Sequence, residues 1–373
     1  MRVINPESKD HVFSSLDDCK NAIFLAGPCP RDPDDMENTW QDDAIKFLEK
    51  IGFNGVILNP VNKYYDETDK DHLKKQTAWE VEAMHKASAI VFWIERSEKH
   101  PALTTNIEFG QWHDKEGVFV GSTDAAIKNN YLKERIAAVG KTWYTTLYSL
   151  LVATVNFLNR PSKKVFLSDT HFSQQRTLEL SKRPFRNVRE MDLTMISNWN
   201  KSIKMSDEVY FLGDFGSDFN YLKFLNFKIL HFVFGNYERQ DADKNDILSE
   251  TIEKLERLKK QGLNIKYYNR GECKLKLSNG KSIVLVHEPV DPETTMKDGK
   301  VHDDVLYVYG HIHCRTIYKL NGTDVGVDGN FFKPVFEDQL IWRLNAIQYL
   351  DDNVWTDKCK EKEWGDMIEV RKK

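Results

Sequence analysis

Five short apolar segments in the second half of the chain each run into a residue that can bind a metal ion. Their β-branched and aromatic residues predict buried strands. Strands that lie side by side in a sheet bring their carboxyl ends to one edge, so ligands that are far apart in the sequence should converge there. The candidate metal ligands are Asp169, His171, Asp214, Asn236, His287, His311 and His313.

The residue types indicate which ions this edge would hold. Oxygen and imidazole ligands together suit Mn, Fe, Zn or Ni better than Ca. Seven ligands are too many for one tetrahedral ion and suit two divalent ions about 3.5–4 Å apart, the spacing used in two-metal phosphoester cleavage. Asp214 is the natural candidate to bridge both ions. One Asp-x-His or His-x-His pair alone would more often lie at the surface or in a core, and the order of the segments is what favours a metal site.

About residues 161–340 resemble the calcineurin-like metallophosphoesterase family. The matching motifs are Asp169-x-His171, Gly213-Asp214, Gly235-Asn236, His287 and Gly310-His311-x-His313. The resemblance implies that Asp169, His171, Asp214 and His313 hold one metal ion. It implies that Asp214, Asn236, His287 and His311 hold the other.

The chain departs from that family directly after Asn236. The family usually has a His there, which contacts the phosphate and helps to protonate the leaving group, whereas this chain has Tyr237 followed by Glu238. Tyr237 is the candidate catalytic residue at this position, but tyrosine is a poorer proton donor than histidine near neutral pH. Neither residue is implied to be a ligand, so the metal site would survive the change.

The first half of the chain alternates strands with helices. Strands are predicted at residues 22–26, 56–58, 89–94 and 118–121. Helices are predicted at 40–51, at 77–87, from Thr105 or Asn106 onward and at 143–158. This order predicts an α/β domain with a doubly wound parallel sheet and helices on both faces. The charged stretch from Tyr64 to Lys75 has no clear period, so it is either a loop over a pocket or, as is more common, a solvated connection.

Glu108 lies near a predicted helix start that follows a strand and a polar loop. That position faces the ligand edge of the sheet, and the helix N-terminus should keep the carboxylate ionised. An ionised carboxylate can attack C1 of a sugar and form a glycosyl-enzyme. The alternative, which the pattern alone favours, is a first-turn Glu that stabilises the helix dipole.

Residues 22 to about 135 resemble the nucleoside 2-deoxyribosyltransferase family. The matching pieces are Phe24-Leu25-Ala26-Gly27-Pro28, Trp79-Glu80, Val91-Phe92-Trp93 and Thr104-Thr105-Asn106-Ile107-Glu108-Phe109-Gly110. The resemblance implies that Glu108 is the nucleophile, that Glu80 helps to hold a nucleoside and that Gly27 and Pro28 line the pocket, with Asn106 as a further binding candidate. Some members carry an Asp six residues before the nucleophile, where this chain has Ala102. The resemblance also implies a homo-oligomer.

Composition narrows the class of protein. The chain has 373 residues and a net charge of −4, which argues against a dedicated nucleic-acid binder but leaves room for a nucleotide or short oligonucleotide. Its five cysteines are scattered without a CxxC pair, which indicates a reducing compartment, here the cytoplasm. No signal peptide or membrane-spanning segment is expected. Arg183, Arg186 and Arg189 either hold a phosphate or, as such clusters usually do, form a solvated face.

These observations predict two fused catalytic domains. The expected limits are 1–160 for the nucleoside 2-deoxyribosyltransferase-like domain, 161–345 for the α/β, β-sandwich-like metallophosphoesterase domain and 346–373 for a charged tail. The predicted function is phosphoester hydrolysis with two divalent ions, combined with transfer or hydrolysis of an N-glycosidic bond in a nucleoside or nucleotide. One alternative is a phosphoesterase with a nucleotide-sensing first domain. Another is a binding protein with a degraded metal site.

Overall fold

The structure is a computed structural model. It describes residues 1–6, 13–29, 39–66, 68–98, 100–240, 245–290, 296–297, 300–301, 306–313, 317–319 and 321–350. By its internal contacts the chain forms two compact units. The first contains Met1–Ser162, Arg189–Asp207 and Asn220–Lys228, and the second contains the rest of the described chain.

The first unit is built on a six-stranded sheet. Its strands are β1 (Arg2–Ile4), β2 (Ala22–Ala26), β3 (Val56–Leu58), β4 (Ala89–Trp93), β5 (Val118–Gly121) and β6 (Trp143–Tyr144). Their spatial order is β1-β3-β2-β4-β5-β6, and each neighbouring pair is parallel. Because β2 has β3 on one side and β4 on the other, the chain reverses direction across the sheet there, which opens a crevice at the carboxyl ends of these strands.

Helices cover both faces of this sheet. They are α1 (Trp40–Lys50), α2 (Lys70–Lys86), α3 (Leu103–Trp112), α4 (Asn130–Ala138) and α5 (Leu147–Leu158). Ile23 and Val91 belong to a buried cluster with residues of α1 and α5. Phe92 points to the opposite face, where its ring centroid lies 6.1 Å from that of Phe109 of α3. Successive strand residues face opposite sides of a sheet, so both faces of these buried strands need apolar cover.

The second unit contains two five-stranded sheets and a small hairpin. Its strands are β7 (Lys164–Leu167), β8 (Glu208–Phe211), β9 (Ile229–Val233), β10 (Ile265–Tyr268), β11 (Cys273–Lys276), β12 (Ser282–Leu285), β13 (Met296–Lys297), β14 (Lys300–Val301), β15 (Leu306–Tyr309), β16 (Tyr318–Lys319), β17 (Gly322–Asp324) and β18 (Val335–Phe336). The sheets have the orders β10-β9-β8-β7-β18 and β11-β12-β15-β17-β16, and β13 pairs with β14. The central strands of each sheet run parallel.

The remaining helices are α6 (Gln175–Leu180), α7 (Val188–Ser202), α8 (Asn236–Arg239), α9 (Leu248–Lys260) and α10 (Glu337–Leu350), with 3-10 turns at Phe219–Lys223 and Val327–Asn330. The main core of the second unit joins residues of both sheets, such as Phe166 and Val233 of one and Leu285 and Val308 of the other, with Leu340 of α10. Two sheets that share one core form a sandwich-like arrangement.

This architecture confirms the predicted fold class. The predicted strands at 22–26, 56–58 and 118–121 match β2, β3 and β5. Three local predictions are wrong. Residues 70–75 belong to α2 rather than to a loop or a solvated connection. Residues 143–144 form an edge strand rather than helix, and α3 begins at Leu103 with Ala102 as its N-cap instead of Thr105 or Asn106.

The domain limits drawn from the sequence stay a prediction. The contacts divide the chain at Ser162, yet they group Arg189–Asp207 and Asn220–Lys228 with the first unit. The expected start of the tail at residue 346 falls inside α10, and residues 351–373 lie outside the described residues. Among the described residues, no helix is long and apolar enough to cross a membrane.

Asn226 provides a test of that grouping. Its side-chain amide donates to Ser88 Oγ at 2.7 Å and to the carbonyl of Ile203 at 3.0 Å, and its Oδ1 accepts from the amide of Asn21 at 2.9 Å. Asn226→Ala leaves buried partners unsatisfied, and we expect the free energy of unfolding to fall by roughly 2–4 kcal/mol in urea titrations. Asn130→Ala, at an exposed position of α4, is the matched control. A loss no larger than that of the control would contradict the grouping.

Candidate functional sites

The predicted metal ligands lie just beyond the carboxyl ends of five strands. Two neighbouring strands, β7 and β8, lead to Asp169, His171 and Asp214, and β9 leads to Asn236. In the other sheet, neighbouring β12 and β15 lead to His287, His311 and His313. Convergence therefore follows from parallel strand pairing within each sheet and from the shared core of the two sheets.

The structure brings all of these residues together. Asp169, His171 and His313 form one group and Asp214, His287 and His311 form another, and within each group the ligand atoms lie within 4.8 Å of one another. Asn236 Oδ1 is 2.9 Å from His287 Nε2 and 3.0 Å from His311 Nδ1. Asp214 Oδ2 is 3.6 Å from His171 Nε2 and 3.3 Å from His287 Nε2. Its carboxylate thus lies between the two groups.

The hydrogen bonds of His171 and His287 turn the Nε2 atom of each ring toward this centre. His171 Nδ1 is 2.7 Å from Gln174 Oε1, and His171 Nε2 is buried with no hydrogen-bond partner. His287 Nδ1 is 2.6 Å from the carbonyl of Leu212, which makes Nδ1 the donor. Burial lowers the pKa of His171 against the pull of Asp214 and Asp169, so its ring is kept neutral. A buried neutral imidazole nitrogen beside carboxylates is a suitable donor for a divalent metal ion.

Asp328 was not predicted as part of this centre. Its Oδ2 lies 2.9 Å from His313 Nδ1, and both carboxylate oxygens accept hydrogen bonds from Arg183 at 2.7 and 2.8 Å. Arg183 also donates to the carbonyls of Asp169 and Thr170. The side chain of Arg183 is therefore committed to orienting this group, and it does not contribute to the phosphate-binding cluster considered from the sequence.

The backbone at the centre is strained. Asp169, His171, Asp214, His311 and His313 all have φ between 42° and 73°. A left-handed conformation costs a residue with a side chain roughly 1–2 kcal/mol. Gly213 has a φ of 87°, and a Cβ there would lie 2.5 Å from the backbone of Gly235. Packing of the surrounding strands must hold these turns in place.

Glu238 supports the same turns, and the sequence offered a signal for it. Its carboxylate accepts hydrogen bonds of 2.8 Å from the amides of Gly235, Asp214 and Phe215. Glu238 is the third residue of α8, the position from which a Glu reaches back to the helix start. Tyr237 is half-buried, and its ring lies 5.1 Å from that of His171 at nearly a right angle. Its amide donates to Asp214 Oδ1 at 3.0 Å.

A second site lies in the first unit, in the crevice beside β2 and β4. A cavity of about 440 Å³ is lined by Gly27, Pro28, Glu80 and Glu108, and by residues that the sequence analysis did not select, among them Asn62, Gln76 and His100. Gly27 is required because a Cβ there would lie 2.3 Å from the carbonyl oxygen of Trp93.

Asn106 is not among the residues that line this cavity. It lies two residues from Glu108 on α3, and residues two apart on a helix do not face the same way. Its side-chain oxygen accepts a hydrogen bond from Arg96 instead. The structure therefore does not bring Asn106 together with Glu108, and its prediction as a binding residue of the same pocket has no geometric support.

Glu108 is in the second turn of α3, the sixth residue of the helix, rather than near its first residue. The helix dipole acts mainly on the first turn, so it does not keep this carboxylate ionised. Burial, with a further contribution from Glu80, raises the pKa of Glu108 to about 8. The expectation of an ionised carboxylate is therefore wrong for the ligand-free cavity at neutral pH.

Glu80 is held by a chain of amides. Gln76 Nε2 donates to Glu80 Oε1 at 2.8 Å and to the carbonyl of Pro60 at 3.1 Å, and Asn62 Nδ2 donates to Gln76 Oε1 at 2.9 Å. Burial raises the pKa of Glu80, while the hydrogen bond from Gln76 opposes that rise. Burial thus raises the pKa of both carboxyl groups in this cavity.

Comparison with known proteins supports the family resemblance of each half of the chain. Residues 20–125 match the family model described as nucleoside 2-deoxyribosyltransferase like, and residues 163–342 match that of the calcineurin-like phosphoesterase superfamily domain. Both resemblances drawn from the sequence are confirmed, in the predicted order. The chain therefore combines a phosphoesterase domain, of a family that generally uses divalent metals, with a nucleoside deoxyribosyltransferase-like module.

Two further proteins are similar to parts of this chain. The uncharacterized protein MJ1445 of Methanocaldococcus jannaschii is 28% identical over 208 residues, which cover 51% of this chain and 98% of that protein. The crystal structure of the protein of unknown function AQ665 from Aquifex aeolicus is 22% identical, covers 48% of this chain and 98% of that chain, and has a TM-score of 0.36. Neither name states an activity.

The raised pKa of Glu108 predicts a pH-dependent stability. Between the ordinary glutamate value of 4.5 and about 8, the folded protein holds a proton that the unfolded chain releases, so stability falls as pH rises through this window. Glu108→Gln removes the cost of ionisation. We expect it to gain on the order of 3 kcal/mol over wild type at pH 8.5 and almost nothing at pH 4.5, measured by urea unfolding. Glu134→Gln, at an exposed position of α4, is the control and should have the same pH dependence of stability as wild type. The prediction would be contradicted if the free energy of unfolding changed with pH in parallel for wild type, Glu108→Gln and Glu134→Gln.

Asp328 should tune metal binding through His313. Asp328→Asn weakens the hydrogen bond that orients the imidazole, and we expect manganese affinity to fall ~10–100-fold. Calorimetric titration of metal-free protein with manganese measures this without relying on turnover. Asp338→Asn, exposed on α10, should bind as wild type does, and equal affinities in both variants would disprove the role given to Asp328.

Proposed function

We propose that the chain is a bifunctional nucleotide-processing enzyme. The second unit would hydrolyse a phosphate ester with two divalent metal ions, and the first would transfer or hydrolyse the N-glycosidic bond of a nucleoside or nucleotide. The observation that carries the proposal is the position of the Asp214 carboxylate between two groups of ligands. Carboxylates and imidazoles that meet around one central Asp are the donor set of a dinuclear centre.

The residues of the metal centre divide into two sets. Asp169, His171, Asp214 and His313 would hold one ion, and Asp214, Asn236, His287 and His311 the other. Mn, Fe, Zn and Ni all suit such oxygen and nitrogen donors. Bound ions would supply the positive charge that phosphoester cleavage requires on the phosphate oxygens.

The ring contact between Tyr237 and His171 supports a role for Tyr237 beside the metal ligands. Its half-buried ring lies against that of His171, one of the candidate metal ligands. We propose that Tyr237 orients the phosphate or the leaving group by hydrogen bonding. The weaker acidity of tyrosine makes full proton transfer at neutral pH a smaller contribution than histidine would provide.

In the first unit, Glu108 would attack the sugar, Glu80 would hold its hydroxyl groups, and Gly27 and Pro28 would form the wall of the pocket. For attack, Glu108 must lose the proton that burial and Glu80 favour. A bound nucleoside that donates hydrogen bonds to Glu80 would neutralise part of this repulsion, because hydrogen bonding to a charged carboxylate favours its ionised form. Substrate binding and activation of the nucleophile would then be coupled.

One observation favours a second candidate function. Glu108 has a pKa of about 8, and Ala102 stands where some members of the family carry an Asp. A carboxyl group that stays protonated, without a nearby acid for the base, suits binding more than catalysis. In this alternative the first unit senses a nucleoside or nucleotide and only the second unit is catalytic.

Location and assembly complete the proposal. We propose a cytoplasmic protein, because its five cysteines are scattered without a paired motif. We also propose a homo-oligomer, as the resemblance of the first half implies. Leu103 and Ile107 of α3 are 69% and 75% exposed. These two side chains lie one helical turn apart beside the Glu108 cavity. A second copy of the chain that packed there would cover their exposed apolar surface.

One incubation tests both activities. The purified protein is mixed with manganese and with nucleoside monophosphates, cyclic nucleotides, nucleosides, NAD or bis(p-nitrophenyl) phosphate, and products are identified by mass. We expect Asp214→Asn to lose phosphoester hydrolysis by more than the ~10–100-fold that removal of an outer partner costs. Glu108→Gln should lose base release and keep phosphoester hydrolysis.

Two surface variants are the controls, Asp338→Asn for the metal centre and Glu134→Gln for the cavity, and both should behave as wild type. Absence of turnover with every divalent metal would refute the phosphoesterase proposal. Base release that is missing in wild type, while a nucleoside still binds, would refute catalysis by Glu108 and support the sensing alternative.

A further inference from the structure

A second cavity of the first unit, of about 470 Å³, lies on the far side of α3 from the Glu108 cavity. Asn106, Phe109 and Gly110 of α3 form one wall. The other residues that line it are Arg96, which follows β4, Lys128, which follows β5, and Tyr131, Leu132 and Arg135 of α4. The two cavities share no lining residue. This second one lies at the carboxyl ends of neighbouring parallel strands, where ligands of such sheets bind.

The charged residues of the described lining are all cations. Arg96, Lys128 and Arg135 contribute three positive charges, and no Asp or Glu is among the lining residues. Within the part of the chain that the structure describes, none of the three forms an ion pair with a carboxylate. Arg96 donates to the side-chain oxygen of Asn106 and to the carbonyl of Lys128, and Arg135 donates to His113 Nε2 at 2.9 Å. These neutral acceptors leave the charge uncompensated.

A side-chain donor and the start of a helix are unused in this region. Arg96 Nε is buried and has no hydrogen-bond partner among the described residues. The start of α4 has no side-chain cap, because Asn129 directs its amide to the carbonyl of Ile94 and to Ser122 Oγ instead. The first N–H groups of α4 therefore remain available beside Lys128, and a helix start favours a negative group.

The rim carries an aromatic side chain. Tyr131 is 72% exposed, although it lies on the same helical turn as the buried Leu132. An exposed ring beside a cationic cavity is the combination that nucleotide-binding surfaces use, since the ring stacks on a base while the cations bind phosphate.

We propose that this cavity is a second ligand site, which binds a small phosphate-bearing anion. The phosphate lies among Arg96, Lys128, Arg135 and the start of α4, and Tyr131 stacks on the base when the anion is a nucleotide. The Glu108 cavity has the opposite character, since Glu80 and Glu108 line it and no Lys or Arg does among the described lining residues. The first unit thus separates an anion site from a site for an uncharged sugar on the two sides of one helix. The assignment does not depend on the activity proposed for either unit.

The test uses the full chain with its metal ions removed by a chelator, so that no phosphate is held or hydrolysed at the metal centre. Pyrophosphate and ADP are titrated by calorimetry. Both should bind, more weakly as salt is added. Lys128→Gln should lower the affinity for pyrophosphate and for ADP about tenfold, because one charge-assisted contact is lost. The double variant Lys128→Gln, Arg135→Gln should abolish binding.

Lys133→Gln is the matched control, because it removes one positive charge from α4 without touching the cavity. Tyr131→Ala distinguishes the two ligand sources. If Tyr131→Ala weakens the binding of ADP but not that of pyrophosphate, the site is assigned to a nucleotide. If the variant binds both ligands with the affinity of wild type, the site is assigned to a free phosphate or pyrophosphate. Binding should persist in Glu108→Gln. The proposal is overturned if neither anion binds, or if Lys133→Gln weakens binding as much as Lys128→Gln does.

Discussion

The carboxylate of Asp214 is the point on which the second unit depends. It is almost fully buried, and charge in such a place is costly unless partners compensate it. His171 and His287 approach it from two different strand ends, and the amide of Tyr237 donates to it. Two sheets with parallel central strands are needed to supply these partners at once. The sandwich is therefore the arrangement that makes a buried carboxylate tolerable, and it brings the candidate metal ligands together around that carboxylate.

The strained backbone of the second unit and the hydrogen bonds that hold it in place are both found at the predicted metal ligands. Five of the predicted ligands adopt left-handed backbone conformations. Glu238 ties the turn after β8 to the turn after β9 through three backbone amides, and Arg183 ties Asp328 to the backbone of Asp169 and Thr170. Local conformations that cost free energy persist only where surrounding contacts determine them. Candidate ligands that are already held in this way would lose little freedom on binding an ion.

In the first unit, burial changes the pKa of two carboxyl groups instead of surrounding one carboxylate with partners. Its sheet places Glu80 and Glu108 in a cavity where desolvation raises the pKa of both carboxyl groups and Glu80 raises that of Glu108 further. The opposite side of α3 gathers the cations Arg96, Lys128 and Arg135. One helix thus separates two electrostatic environments. Residues two positions apart, such as Asn106 and Glu108, belong to different sides, and a motif that reads as one block in the sequence serves two surfaces.

The sequence by itself determined the fold class, both family resemblances and the candidate metal ligands that the structure brings together, because strand periodicity and residue type are local properties that parallel pairing converts into position. It did not reveal Asp328, Glu238, Asn62 or Gln76, whose roles arise from partners far along the chain or from a single turn. It also placed Glu108 too close to its helix start, since the one-turn extension of α3 to Leu103 carries no capping side chain. Protonation was decided by tertiary structure alone. The pKa of a carboxyl group follows from burial and from the charges around it, and these exist only after distant segments have packed together.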